Sequence, residues 1–297
     1  PRNDIPKQGS AQLSRVPGLG FLKYALQRFA DDHAQQRAAA LTYSTLLALV
    51  PLLAISFAVF SAFPAYEGIR EQLQAFVFEN FVPQVGPTVL EHLQEFVGKT
   101  GRLTAVGVVF LAVTAIILLS NISSAFNAIW RVRQSRSLLL RLPAYWLILT
   151  APPILMGAAM SLSGYLFAIA QASGVGAYTG PLVQLAALVP PILQIVGLFL
   201  LYIFAPNFPV RWRDALVGAA TAGVVLELLK AGFGFYVTHF PTYQTIYGAL
   251  ATFPIFLLWM YLAWIVVLYG AEMAAARPEW RAGVSRETAL ELSLIHI

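Results

Sequence analysis

The chain has 297 residues, of which 58% are hydrophobic and 11% charged, with a formal net charge of +5. A soluble domain carries about 25% charged residues, so this composition excludes an ordinary soluble fold and points to an all-α membrane protein. The absence of cysteine excludes disulfides, iron–sulfur clusters and thiolate metal sites.

The first 37 residues are polar and read as a cytoplasmic or interfacial segment without a signal peptide. Within it, LGFLKYALQRFADDHAQ (19–35) sets Phe21, Leu22, Ala25, Leu26 and Phe29 at helical spacing beside Lys23 and Arg28. That pattern predicts an amphipathic helix lying in the membrane interface. Four later stretches, 38–66, 103–130, 142–210 and 240–271, contain no Asp, Glu, Lys or Arg. A span needs about 20 apolar residues. The longest stretch holds two, divided by the turn-like QASGVGAYTGP at 171–181. Residues 215–237 add another, and six spans are expected: 39–63, 103–127, 143–170, 182–205, 215–237 and 249–275.

The first span opens with Thr42, Tyr43, Ser44 and Thr45, and Pro51 interrupts its hydrogen-bond ladder. The outer loop 64–102 carries two amphipathic patterns, 67–81 and one built on Val89, Leu90, Leu93, Phe96 and Val97. They suit a structural cap, a gate or a partner site. At the inner end of the second span, Ser120, Ser123, Ser124 and Asn127 recur at helical spacing with Asn121 adjacent. This stripe either hydrogen-bonds neighbouring helices or lines a path. Pro152-Pro153 and Pro190-Pro191 fall inside the third and fourth spans, as kinks or as the trace of an inverted repeat.

The fifth span places Glu227 and Lys230 within an otherwise apolar run. Glu227 is twelve residues in from Ala215, about 18 Å at 1.5 Å per residue and near the middle of a roughly 30 Å core. Each charge there costs about 2.5–3.5 kcal/mol on insertion scales. At 100° per residue, Ala220, Gly223, Glu227, Lys230, Ala231, Gly234 and Thr238 form one stripe, with Phe233 on another side. Small residues allow close helix approach, so the stripe is expected to face protein or a polar cavity. The pair is then either an ion pair that fixes packing or part of a pathway binding a proton, cation or polar head group. Asn121, Asn127 and Tyr43 are grouped with it as candidate cavity residues. The sixth span ends at Glu272, read as a helix-end or loop-binding carboxylate. A membrane domain of 38–277 and a tail of 278–297 complete the organisation, and the closing SLIHI reads as truncated or foreign.

Fifteen Lys and Arg residues lie in the N-terminal segment, the 131–141 and 206–214 loops and the tail, against Arg70, Lys99 and Arg102 in the other loops. The positive-inside rule therefore puts both termini in the cytoplasm. The basic charge has no dense run, so no nucleic-acid partner is expected. There is no Walker sequence, no H-E-x-x-H and no G-x-S-x-G, and the four histidines are scattered. No enzyme, cofactor or metal site is expected.

The segments RAAALTYSTLLALVPLL (37–53), AFNAIWRV (125–132), PNFPVRWRDALVGA (206–219), ELLKAGFGFYV (227–237) and TYQTIYGALATFPIFLLWMYLAWIVVLYGAEMAA (242–275) resemble the YihY/BrkB family of bacterial inner-membrane proteins. The resemblance covers residues 20–277 and implies a six-spanning protein. It places Tyr43, Pro51, Asn127, Trp130, Glu227, Lys230, Tyr247, Gly248, Trp259, Gly270 and Glu272 within family motifs. Some members carry an old ribonuclease label, for which this chain has no metal or paired-histidine site. Others are called virulence or serum-resistance factors, and transport of a lipid or other envelope molecule is suspected for the family. The expectation is a transporter or flippase-like protein for a polar or amphipathic solute, in contact with the bilayer and open to homo-oligomerisation. The rival is a non-transporting scaffold or envelope factor.

Overall fold

A computed structural model describes residues 17–49, 51–52, 105–132, 138–172, 181–239 and 251–282. Every regular element among them is a helix: α1 (Pro17–Asp31), α2 (Ala34–Leu47), α3 (Ala105–Ile129), α4 (Leu138–Ala172), α5 (Pro181–Phe204), α6 (Trp212–His239) and α7 (Thr252–Arg281). Of these, α3 to α7 are long and apolar enough to cross a bilayer. The remaining expected span, 39–63, coincides with α2 at its start and then runs outside the described residues. The outer loop 64–102, with its two amphipathic patterns, lies outside them too, as do Tyr247 and Gly248.

The expected interfacial helix is interrupted before its predicted end. His33 adopts a left-handed conformation, φ 53°, which His tolerates better than branched residues. The chain turns there, so α1 and α2 are separate elements. Helix α1 is also more than a lipid-facing ribbon. Ala25, Arg28 and Phe29 are buried against the protein, while Leu22 and Leu26 remain exposed.

The bundle is organised around α7, which packs on α6, α2 and α1. Small residues set the α6–α7 crossing. A Cβ at Gly218 would sit 2.3 Å from the Gly270 carbonyl oxygen, and one at Gly270 would lie 2.6 Å from Ala222 Cβ. Only glycine lets the two backbones meet this closely, the usual membrane solution where lipid offers no hydrophobic drive between helices. The Tyr202 hydroxyl of α5 reaches over the crossing and donates to the Val267 carbonyl at 2.7 Å.

Helices α4 and α5 form an antiparallel pair, each with a double proline inside it. A proline cannot donate to the carbonyl four residues before it, so Pro190 leaves the Ala186 oxygen unpaired within α5. The Ser163 hydroxyl of α4 donates to that oxygen at 3.2 Å. A Ser163→Ala variant should therefore lose about 1 kcal/mol of stability, read as a lower unfolding temperature in detergent. Ser161→Ala, on the exposed side of α4, serves as the control and should change nothing.

Candidate functional site

A cavity of about 410 Å³ opens among α3, α4, α5, α6 and α7 at the level of the double prolines. Its wall is mainly aliphatic, with Leu118, Leu155, Leu201 and Val267 among its residues. The proline pairs of α4 and α5 contribute Pro152 and Pro190, and Trp259 and Trp264 line the α7 side. Trp264 has its polar atom occupied: Nε1 donates to Thr45 Oγ1 of α2 at 3.1 Å. The polar groups that remain at the cavity are Gln194 of α5 and Lys230 of α6.

Lys230 Nζ stands 2.7 Å from Glu227 Oε1 and 3.4 Å from Gln194 Oε1. The two charges lie three residues apart with the acid first, a favourable helical order. They are not equally sheltered: the Lys230 side chain is 14% exposed and that of Glu227 39%. Lys230 lines the cavity, whereas Glu227 is not one of the lining residues. Gln194 Nε2 is buried and meets no acceptor.

The small-residue face differs from the expected stripe. The N-terminal half of α6 packs: Ala215, Gly218, Ala219, Ala222 and Gly223 are buried, and a Cβ at Gly223 would come 2.3 Å from Ile195 Cγ1. Further along, Ala231 and Thr238 are exposed and nothing lies within 4 Å of a Cβ at Gly234. There the buried residues are Phe233 and Val237, and the Phe233 ring lies 5.1 Å from that of Trp259. The large aromatic is drawn inward because it has a tryptophan to cover, while the small residues have no neighbour to approach.

The other residues grouped with the pair go elsewhere. Tyr43 is 63% exposed on α2. Asn121 donates to Ser44 Oγ at 2.7 Å and ties α3 to α2. Asn127 accepts from the Asn207 backbone N–H at 2.7 Å, and Ser123 donates to the Ala205 carbonyl at 3.3 Å. The serine–asparagine stripe thus fastens α3 to the link before α6. Pro51 is fully buried, and Trp130 stacks on Phe126 with ring centroids 6.1 Å apart.

At the end of the bundle where α3 and α7 finish, two charge clusters close the helices together. Glu272 is completely buried, and Arg28 of α1 donates to its Oε2 from Nε at 2.8 Å. The same guanidinium bonds Glu279 through Nη1 and the Ile129 carbonyl through Nη2, at 2.5 Å for the latter. That carbonyl is one of the orphan acceptors at the C-terminus of α3. Tyr24 donates to Glu279 Oε2 at 2.7 Å, and Asp32 lies 3.7 Å from Arg28 Nε. Burial by itself would depress the Arg28 pKa, but the Glu272, Glu279 and Asp32 carboxylates outweigh it and hold it above the ordinary value. Burial and the Glu279 hydrogen bond both raise that of Tyr24. Arg131, at φ 54°, closes α3 from a left-handed position, with its own N–H on the Ala128 carbonyl and that of Val132 on the Asn127 carbonyl.

The second cluster surrounds Asp214 in the first turn of α6, where a carboxylate suits the helix dipole. Arg277 of α7 lies 3.3 Å from Asp214 Oδ1 and donates to the Arg213 carbonyl at 2.7 Å. Arg211 and Arg281 stand near the same carboxylate, at 3.9 and 3.8 Å. In the sequence these arginines count only as inside charge, and Tyr24, Asp214 and Glu279 go unnoticed. Gln194 is passed over as well, although a carboxamide in a span without formal charge is itself a signal. Among the described residues no group of three or more His, Asp or Glu side chains is placed to hold a metal ion.

Comparison with known proteins agrees with this architecture. The family model described as Virulence factor BrkB matches residues 25–291. A UPF0761 membrane protein of Rhodospirillum centenum is 42% identical over 276 residues, covering 91% of this chain and 61% of its own length. The UPF0761 membrane protein of Pseudoalteromonas translucida is 38% identical, covering 91% of this chain and 89% of its own. The chain thus spans about three fifths of the Rhodospirillum relative and most of the Pseudoalteromonas one. No solved structure matches. A polytopic helical bundle, fastened by buried ion clusters and matched over nearly its whole length, belongs to the Virulence factor BrkB family of multi-pass integral membrane proteins.

Proposed function

We propose that this protein carries a polar or amphipathic solute across the bacterial inner membrane as a transporter or flippase-like protein, with its arginine-rich end in the cytoplasm. The supporting observation is the cavity of about 410 Å³ among the spanning helices, with Lys230 and Gln194 as its polar groups. Its size falls within the roughly 300–1,000 Å³ of small-molecule sites. Ionisable side chains inside membrane segments commonly mark pathways for ions or substrates. The Arg28 and Asp214 clusters join α1, α3, α6 and α7 at the arginine-rich end, which suits a state closed on that side. Alternating access then requires those clusters to loosen while the cavity residues stay in place.

The test is flux in proteoliposomes. Protein reconstituted with a fluorescent single-chain lipid in one leaflet should accelerate the appearance of that lipid in the other. Glu227→Gln should alter the rate at least severalfold while the protein elutes as a folded species. If Lys230→Leu combined with Glu227→Leu leaves both flux and abundance unchanged, the pair is packing alone; folded wild-type protein that produces no flux overturns the transport reading in favour of a scaffold role.

A further inference from the structure

We infer that the cavity takes an amphiphile with one alkyl chain and an anionic head group, and that Glu227 is the built-in counter-ion this head group displaces from Lys230. The inference rests on the transport reading and names its substrate class. It starts from which polar groups at the cavity are already engaged. Trp264 Nε1 is committed to Thr45, so it offers nothing to a ligand. Gln194 Nε2 is buried without an acceptor, and its Oε1 already faces Lys230 at 3.4 Å. Lys230 carries three N–H donors. Glu227 Oε1 is also buried, but the Lys230 ammonium stands 2.7 Å from it and Glu227 is not one of the lining residues. On the groups that line the cavity the unmatched capacity is therefore donor capacity, from the Lys230 ammonium and the Gln194 carboxamide. An oxyanion, carboxylate or phosphate, satisfies both. An ammonium head group would meet Lys230 with like charge, and a neutral chain end would leave Nε2 unpaired.

The asymmetry of the ion pair supplies the exchange. Lys230 is 14% exposed and lines the cavity, whereas Glu227 is 39% exposed and is not one of the lining residues. If Glu227 simply left, an ammonium would stand uncompensated in a low-dielectric interior, which is costly. An incoming anion removes that cost, because the charge on Lys230 is balanced before and after. The aliphatic wall beside the donors, Leu118, Leu155, Leu201 and Val267, receives the chain. At about 410 Å³ the space is near the lower end of ligand cavities and suits one chain.

The two tryptophans of the wall provide the readout. The full chain is purified in a neutral detergent with Trp130, Trp146, Trp212 and Trp280 changed to Phe, leaving Trp259 and Trp264. Brominated dodecanoate is titrated against brominated dodecanol and brominated dodecyltrimethylammonium of the same chain, with bromine quenching as the signal. Dodecanoate should quench saturably at about tenfold lower concentration than the alcohol, as one charge-assisted hydrogen bond implies, and the cation should not saturate. Unbrominated dodecyl phosphate and dodecanoate, each used as competitor, separate the two head groups. Lys230→Gln should abolish the preference for the anion, Lys230→Arg should retain it, and Glu227→Gln should tighten anion binding by removing the competing carboxylate. Gln194→Leu, which leaves the charge pair intact, should weaken it severalfold. Equal quenching by all three probes overturns the head-group inference while the cavity remains an amphiphile site and the transport reading stands. No saturable quenching by any probe, in protein that is folded, overturns the inference and removes the binding site on which the transport reading relies.

Discussion

Arg28→Met should destabilise the protein by about 3–5 kcal/mol, the cost of leaving one member of a buried ion pair without its partner. The reason is the position of Glu272: completely buried, with Arg28 2.8 Å from one of its oxygens. Removing the guanidinium also frees the Ile129 carbonyl and half of the bonding to Glu279. Arg28→Lys should recover little, because one ammonium cannot reach three acceptors that a planar fork meets at once. The double variant Arg28→Met with Glu272→Met should be more stable than Arg28→Met alone, since the uncompensated buried charge is gone. Thermal unfolding followed by size-exclusion chromatography in detergent measures all three. An Arg28→Met protein that unfolds at the wild-type temperature would mean that the cluster holds nothing together.

Gly218→Ala and Gly270→Ala should each cost about 2–3 kcal/mol or more, the upper range for overpacking. Both new methyl groups meet groups that cannot step aside: the Gly270 carbonyl in one case, Ala222 and the Tyr202 hydroxyl in the other. The helices must separate, and the Tyr202 bond to Val267 over the crossing is disturbed with them. Gly234→Ala on the same helix should be neutral or slightly stabilising, because its Cβ meets open space and alanine is the better helix former by up to about 1 kcal/mol. Yields of folded protein and unfolding temperatures of the three variants provide the check. Equal effects at Gly218 and Gly234 would mean that the crossing is not where the backbones touch.

Half of the candidate site is legible in the amino-acid sequence. Glu227 and Lys230 stand out in any reading of 224–237, since two charges interrupt an apolar run, and they do pair. Their setting is not legible there. Gln194 lies 36 residues upstream on another helix. The half-buried Glu227 and the cavity-lining Lys230 differ in surroundings although they share one turn. Glu272 reads from the sequence as a helix-end carboxylate, but α7 continues nine residues beyond it to Arg281, and its partner Arg28 lies 244 residues away in a helix whose pattern suggests one resting on lipid.

The amino-acid sequence alone determined that the chain is helical and crosses a bilayer, because hydrophobic length is a local sum over about 20 residues and needs no partner. It also determined the family and the presence of a charge pair deep in one span. Only the tertiary structure decided which way each helix faces. In lipid both faces of a span are apolar, so periodicity does not mark the buried side as it does in water. The rotation is set instead by where backbones can approach, at Gly218 and Gly270, and by which buried polar groups find each other, as Arg28 finds Glu272 and Ser163 finds the Ala186 carbonyl.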